Sequence, residues 1–256
     1  MDNKNIYEKY DWSSFKEPAL KDKIRKIIEV IPEPVESIVD IGCGNGIITN
    51  VLGAHFNVTA VDRSKKALSF VQTKKVVASA DDIPLPDDSF DMVFSSEMLE
   101  HLEDDTLIKS VAEMKRLSKK YIFITVPNSE NPDKLSVKCP ECGYVYNTSN
   151  HLRSFEVDKI MKLFPEYKPI KTFTYGRRSR YYNKKLLKLK KRLSPPSSWI
   201  PYYWVPKSQR ETFCPNCEHQ FYNPYHFHPI ASLIDVLNVL ISPKKVYWLF
   251  VIMEVK

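Results

Sequence analysis

A chain of 256 residues, 43% of them hydrophobic, is long enough for one elaborated domain, or one domain with a small insert, and its composition excludes a coreless polymer. The net charge of +7 is unevenly placed: from Tyr167 to Arg210 there are thirteen Lys or Arg and no Asp or Glu, which suits either an anionic partner or a solvated face. The start is polar and charged, unlike a signal peptide, and no apolar run reaches the roughly 18 residues of a spanning helix, so the expectation is a cytoplasmic protein, peripheral to a membrane at most.

In chain order, Asn3 to Phe15 is polar and aromatic, with Tyr7, Tyr10, Trp12 and Phe15. Pro18 to Ile31 has helical spacing through Leu20, Ile24, Ile27 and Ile28, and Pro32 and Pro34 stop it. Ser37 to Thr49 then reads S-I-V-D-I-G-C-G-N-G-I-I-T. Ile38, Val39 and Ile41 make the apolar run of a strand buried on both faces. Gly42, Gly44 and Gly46 follow at alternate positions, as a turn from strand to helix requires when backbone must approach a ligand closely. Helical spacing resumes at Ile47, Ile48, Val51 and Leu52, and amides at such a helix start favour a polar or anionic group. Val58 to Val61 reads as a second strand. Asp62 stands at its C-terminal end, where a carboxylate can accept hydrogen bonds from both hydroxyls of a ribose, and Arg63 adjoins it.

A helix is expected around Lys65 to Thr73, then a strand at Val76 to Ala78 and the run S-A-D-D-I-P-L-P-D-D-S-F-D. Met92 to Phe94 forms a fourth strand and leads into S-S-E-M-L-E-H-L, Ser95 to Leu102. A helix from Asp105 to Leu117 carries Leu107, Val111, Met114 and Leu117 on one stripe, and Tyr121 to Val126 is a fifth strand. Alternating strands and helices predict a parallel, doubly wound α/β sheet.

A dinucleotide site of the G-x-G-x-x-G kind would place its third glycine one residue later. The pattern D-x-G-x-G-x-G from Asp40, the acid at 62, the A-D-D-I-P-L-P run and the E-M-L-E-H-L run together resemble class I S-adenosylmethionine-dependent methyltransferases, including the ubiquinone-biosynthesis O-methyltransferases. The resemblance covers roughly Ile24 to Tyr175 and a final strand at Val246 to Val255. It implies a Rossmann-like, seven-stranded, mostly parallel sheet whose last strand is antiparallel. It implies S-adenosyl-L-methionine as cofactor, held by Asp40, Gly42, Gly44, Gly46, Asp62, Arg63, Ala80, Asp81 and Ser96. Ser79 stands where the family usually has an adenine-binding Asp, so that contact passes to Asp81 or to the amides of Ala80 and Asp81. An N-terminal helix covers the cofactor in many relatives; Tyr10 and Trp12 suit that role, with plain core packing as the alternative.

The core is expected over 1–130, 151–176 and 244–256, with insertions at 131–150 and 177–243. Each insertion carries one C-P-x-C pair: Cys139 with Cys142, and Cys214 with Cys217. Two residues between cysteines let both thiolates reach one metal, and two pairs complete a tetrahedral sulfur shell without an open position, so a structural zinc shared by both insertions is expected. His219, His226 and His228 are the substitutes near the second pair. Asn183 to Leu193 reads as a short basic amphipathic helix, followed by Trp199, Tyr202, Tyr203 and Trp204. A flap over the acceptor site, an anionic membrane surface and RNA all fit that composition.

No N-P-P-Y or D-P-P-Y follows the fourth strand, which argues against exocyclic amine methylation of nucleic acid, and no cysteine is available as a nucleophile for carbon attack. The leading reading is an oxygen of a small-molecule or lipid-linked acceptor. RNA binding or modification is the alternative. Glu97, Glu100 and His101 repeat the E-x-x-E-H associated with a divalent metal in the ubiquinone-pathway enzymes, and one helix face would gather them. His101 and His151 are the general-base candidates, because histidine titrates near neutral pH.

Overall fold

The computed structural model describes residues 4–14, 20–200, 210–223 and 225–256. The chain forms two compact units. One comprises Asp2–Asn128, Phe155–Arg177 and Val246–Lys256; the other comprises Ser129–Ser154 and Arg178–Lys245. Phe15, Tyr202, Tyr203 and Trp204 lie outside the described residues.

The first unit is built on a seven-stranded sheet. Its strands are β1 (Ser37–Ile41), β2 (Asn57–Asp62), β3 (Lys74–Val77), β4 (Phe90–Ser96) and β5 (Ser118–Pro127). The short strands β6 (Ser136–Lys138) and β7 (Val145–Asn147) belong to the second unit; β8 (Tyr167–Arg180) returns to the sheet, β9 (Glu211–Phe213) and β10 (Gln220–Tyr222) form a further hairpin, and β11 (Lys244–Val255) closes the sheet. The order is β3-β2-β1-β4-β5-β11-β8. β1 pairs in parallel with both β2 and β4, β4 in parallel with β5, and β11 runs antiparallel to β5. The expected seven-stranded, doubly wound, mostly parallel sheet with an antiparallel final strand is present.

Alternation along β1 explains why it is apolar throughout. Val39 and Ile41 face a cluster containing Val93, Ile122, Leu107, Val111 and Met114, while Ile38 faces another containing Ile27, Leu52, Phe94 and Phe250. The first cluster includes helix α5 (Asp104–Leu117), with acids in its first turn and Lys115 and Arg116 in its last, as the helix dipole favours. The second includes residues of α2 (Lys21–Val30) and α3 (Ile47–Leu52). Helix α4 is shorter than the sequence pattern: it spans Lys65–Leu68, and Phe70 and Val71 then make turns.

Strands β1 and β4 are neighbours in space, although β2 and β3 intervene in sequence. That reversal of strand order leaves a crevice beyond the C-terminal ends of β1, β2 and β4. The glycine turn, Asp62 and Ser96 all stand at those ends.

Candidate active site and metal centre

Gly42, Gly44 and Gly46 all have left-handed backbone, with φ of 75°, 56° and 73°. The turn is tied to the end of β2 by three amides: Gly42 and Cys43 donate to the carbonyl of Val61 at 2.8 and 3.2 Å, and Gly44 donates to Asp62 Oδ2 at 2.8 Å. Asp62 Oδ1 accepts from the Ser64 amide at 2.8 Å. Burial raises the Asp62 carboxyl above its ordinary value, and the Ser64 and Gly44 amides oppose that rise. An ionised carboxylate has about four acceptor directions. The Ser64, Gly44 and Arg63 amides use three, so the carboxylate keeps acceptor capacity for a ribose hydroxyl. Asp40 is fully buried behind the turn and accepts from the Thr49 hydroxyl at 2.6 Å. Burial pushes its carboxyl up to about 7, against the Thr49 hydrogen bond. Asp40 buttresses the turn through α3.

The turn is also covered. A Cβ on Gly44 would lie 2.9 Å from Cζ3 of Trp12, and one on Gly42 would lie 2.4 Å from Cγ of Met98. Trp12 follows α1 (Lys4–Lys9), donates from its indole to the Tyr7 carbonyl at 2.8 Å, and accepts at its own carbonyl from Asn45 at 2.8 Å. Glu8 takes the amides of Lys65 and Lys66 at the start of α4. Trp12 therefore sits on the glycine turn; Tyr10 lies edge-on to it and is exposed. Arg63 is half-buried, and its charge opposes the rise in the Tyr7 phenol caused by burial.

On the loop after β3, the Ser79 hydroxyl bonds the Asp81 carboxylate and the Asp82 amide donates to the Ser79 carbonyl at 3.1 Å. The serine in the family's Asp position thus orients the next acid, with Ala80 between them. Arg116 of α5 fixes the far side of this loop through the carbonyls of Ile83 and Leu85, at 2.8 and 2.6 Å.

At the end of β4, Ser96 accepts from Thr125 at 2.9 Å and from Lys23 Nζ at 3.0 Å. Lys23 also reaches Glu97 Oε1 at 3.2 Å and lies 4.7 Å from the Trp248 ring centroid. Its side chain is 1% exposed. No motif points to this lysine or to Thr125. A signal existed, because residues 23, 27 and 30 form one helical stripe and two of the three are apolar. Glu97 has φ of 55°, a left-handed value uncommon for a residue with a side chain, and its amide donates to Thr125 at 2.8 Å. The expected single helix face for Glu97, Glu100 and His101 does not form. Only Leu99–His101 makes a 3-10 turn, and Glu97 lies before it, turned to Lys23. Glu100 is buried, and His101 lies edge-on to Tyr7 at 6.3 Å. His151 falls in the other unit, buried, with Nδ1 on the Glu130 carboxylate.

That second unit holds the four paired cysteines. The hairpins β6–β7 and β9–β10 present them in matching knuckles: the Gly143 amide donates to the Cys139 carbonyl and the Glu218 amide to the Cys214 carbonyl, both at 3.0 Å. Gly143 and Glu218 share a left-handed backbone. The sulfurs of Cys139 and Cys217 are 3.6 Å apart, as are those of Cys142 and Cys214, and all four lie within 4.8 Å of one another. A zinc–sulfur bond of about 2.3 Å in a tetrahedron gives sulfur separations of roughly 3.8 Å, so the donor set fits zinc. The Asn216 side chain and the Tyr144 amide pull the Cys142 thiol down to about 6, while burial pushes that of its neighbour Cys214 up. His219, His226 and His228 are not in the cluster; the His228 ring instead caps a helix by accepting from the Ala231 amide at 3.4 Å.

Residues 39–123 match the family described as methyltransferase domain. A protein of Schizosaccharomyces pombe named as an uncharacterized methyltransferase is 29% identical over 33% of this chain, and the chain spans 36% of that relative's length. Among solved structures, a SAM-dependent methyltransferase from Archaeoglobus fulgidus superposes with a TM-score of 0.57 at 17% identity, covering 93% of this chain and 94% of that one. The YcgJ protein of Bacillus subtilis gives 0.53 at 14% identity, covering 92% and 98%. With the sheet order and the glycine turn already described, residues 39–123 carry a methyltransferase domain, and the unit built on them has the fold of the class I S-adenosylmethionine-dependent methyltransferases.

Proposed function

We propose that the chain is an enzyme, an S-adenosyl-L-methionine-dependent methyltransferase acting on an oxygen of a small-molecule or lipid-linked acceptor. The observation that carries the reading is Asp62, held by the Gly44 and Ser64 amides beside a turn of three left-handed glycines at the reversal point of the sheet. Asp62 would hold the ribose, Gly42, Gly44 and Gly46 would admit the cofactor backbone-close, and Ala80 and Asp81 would meet the adenine. Ser96 would stand by the methionine part, and Arg63 would flank the ribose side. Asp40 would position the turn rather than touch the ligand.

When bound, the cofactor supplies a methyl group already activated on a sulfonium. The protein's own contribution is then positioning, desolvation and removal of the acceptor proton. Lys23 fixes the rotamer of Ser96 and holds Glu97 in its left-handed backbone. Of the two base candidates, His151 meets the Glu130 carboxylate through Nδ1, and His101 is packed against Tyr7. The cluster of four cysteines supports the fold of its unit as a closed zinc site.

RNA as acceptor or partner is a second reading, favoured by one observation: the unit holding the cysteines has fifteen Lys or Arg against six Asp or Glu, or +9, while the rest has 23 against 25, or −2. The experiment on the first reading is calorimetric titration with S-adenosylhomocysteine. Micromolar binding is the expected result, and no binding by zinc-loaded protein overturns it. For RNA, a steep loss of affinity with salt is required.

A further inference from the structure

Helix α8 (Pro229–Ile241, P-I-A-S-L-I-D-V-L-N-V-L-I) is inside out. Its buried face consists of Ala231, Ile234, Asp235 and Asn238. The opposite arc is aliphatic and open to solvent: Leu233 is 60% exposed, Leu240 74% and Ile241 61%, with Ile230, Val236 and Leu237 also exposed. A water-facing helix normally has the reverse arrangement.

The orientation is fixed from inside. Lys190 of α7 (Lys184–Leu193) reaches both carboxylate oxygens of Asp235 at 2.7 Å, and the Tyr182 hydroxyl donates to Asp235 at 2.7 Å. Asn238 accepts from the Asn183 amide at 3.0 Å. Arg180 closes the C-terminal end on the carbonyls of Val239 and Ser242, at 2.6 and 2.8 Å. A buried, fully paired ion pair is a device for fixing one arrangement more than for adding stability. Here the arrangement it fixes turns the aliphatic side outward.

The helix packed against the inner face of α8 is cationic. Helix α7 exposes Lys184, Lys185, Lys188 and Arg192, with Leu189 and Leu193 exposed on the same helix, and Lys244 comes after α8, beyond Ser242 and Pro243. Neither helix exposes an acid; the one acidic residue in them, Asp235, is buried. An aliphatic surface with lysines on the adjoining helix is complementary to anionic headgroups over acyl chains. Single-stranded RNA would want cations and aromatic rings on the face itself, and the outer arc of α8 has neither. Thirteen residues make a helix of about 20 Å, shorter than the roughly 30 Å hydrocarbon core. Among the described residues no helix is long and apolar enough to cross a membrane, so α8 would lie in the interface plane.

We infer that α8 is a monotopic docking surface that seats the cysteine-bearing unit on an anionic lipid bilayer, with α7 and Lys244 on the headgroups. The inference does not depend on methyl transfer and would stand if the cofactor reading failed. It is tested without cofactor, by flotation of the full zinc-loaded chain with vesicles of phosphatidylcholine alone or of phosphatidylcholine with phosphatidylglycerol. The expected result is partitioning onto the anionic vesicles at least about tenfold above the neutral ones, weakened by added salt. Leu233→Glu with Leu240→Glu should reduce that binding at least about tenfold, because both side chains would enter the acyl region, with the thermal midpoint unchanged. Lys185→Glu with Lys188→Glu should remove the preference for anionic over neutral vesicles. Absence of flotation, or unchanged flotation of the Leu→Glu variant, overturns the inference. So does a dimer in sedimentation velocity that the Leu→Glu variant dissociates while no vesicles bind, because a second copy then covers the face. Binding to single-stranded RNA without vesicle binding overturns it too.

Discussion

Three acids and one lysine show how burial decides what a residue can do here. Asp62 keeps acceptor capacity toward the crevice, and a charge-assisted hydrogen bond contributes roughly 1.5–3 kcal/mol. Asp62→Ala should therefore raise the dissociation constant for S-adenosylhomocysteine about tenfold or more; an unchanged constant would mean that the ribose is held elsewhere. Asp40 is different, because burial raises its carboxyl to about 7. The folded state then holds the proton more tightly than the unfolded chain does. The contribution to stability is fully present below the unfolded value near 4 and is lost as pH rises through about 7, with a slope that is negative across that window. Asp40→Asn mimics the protonated form and still accepts from Thr49. The difference in unfolding free energy between variant and wild type, followed by denaturant titration from about pH 4 to 8, should therefore grow in the variant's favour as pH rises; a flat difference would show that Asp40 does not titrate there. Glu97, the third acid, is spent on an ion pair with Lys23. Lys23 is the residue that sequence motifs hid. It looks like one more charge on an amphipathic helix until the fold brings Ser96 and Glu97, distant in sequence, to its amine.

At the scale of elements, the strands and the glycine turn were readable because their signals are local: apolar runs in β1 and β2, missing Cβ atoms at 42, 44 and 46, an acid at a strand end. Gly44→Val meets two penalties together, a φ of 56° and a Cβ 2.9 Å from Trp12. It should abolish S-adenosylhomocysteine binding and cost about 2 kcal/mol or more in stability; a variant that binds normally would show that the turn does not approach the ligand. Helix α4 is shorter than its pattern because, although Phe70 and Val71 keep helical spacing, the Asn50 side chain reaches the Phe70 carbonyl and the Gln72 amide and ends the helix. The E-x-x-E-H run has helical spacing, and nothing local announces that Glu97 turns left-handed, because its partners Thr125 and Lys23 are distant in sequence. Helix α8 escaped pattern reading altogether. Its Asp235 and Asn238 face inward and most of its aliphatic residues outward, so a reading that equates apolar with buried finds no usable face.

For the whole molecule, the division of labour follows from where each unit obtains its stability. The unit with the sheet has apolar clusters on both faces of its strands, built from α2, α3, α5 and α6 (Val157–Leu163). The other unit has short hairpins around a cluster of Val137, Cys139, Tyr146, Ile200 and Cys214, and two of those five are thiols. Burial of so few side chains does not hold two hairpins of three-residue strands against their chain entropy. A metal shared by Cys139, Cys142, Cys214 and Cys217 would join them directly, because ligation free energy is then folding free energy. Purified protein should contain one zinc per chain, and Cys214→Ser should lose it. Chelation should expose 129–154 and 210–223 to protease while S-adenosylhomocysteine still binds, since the glycine turn and Asp62 belong to the unit with its own core. Two metals per chain, or full zinc retention in Cys214→Ser, would show that the cysteines do not form one site. Loss of S-adenosylhomocysteine binding on chelation would show that the units do not fold independently.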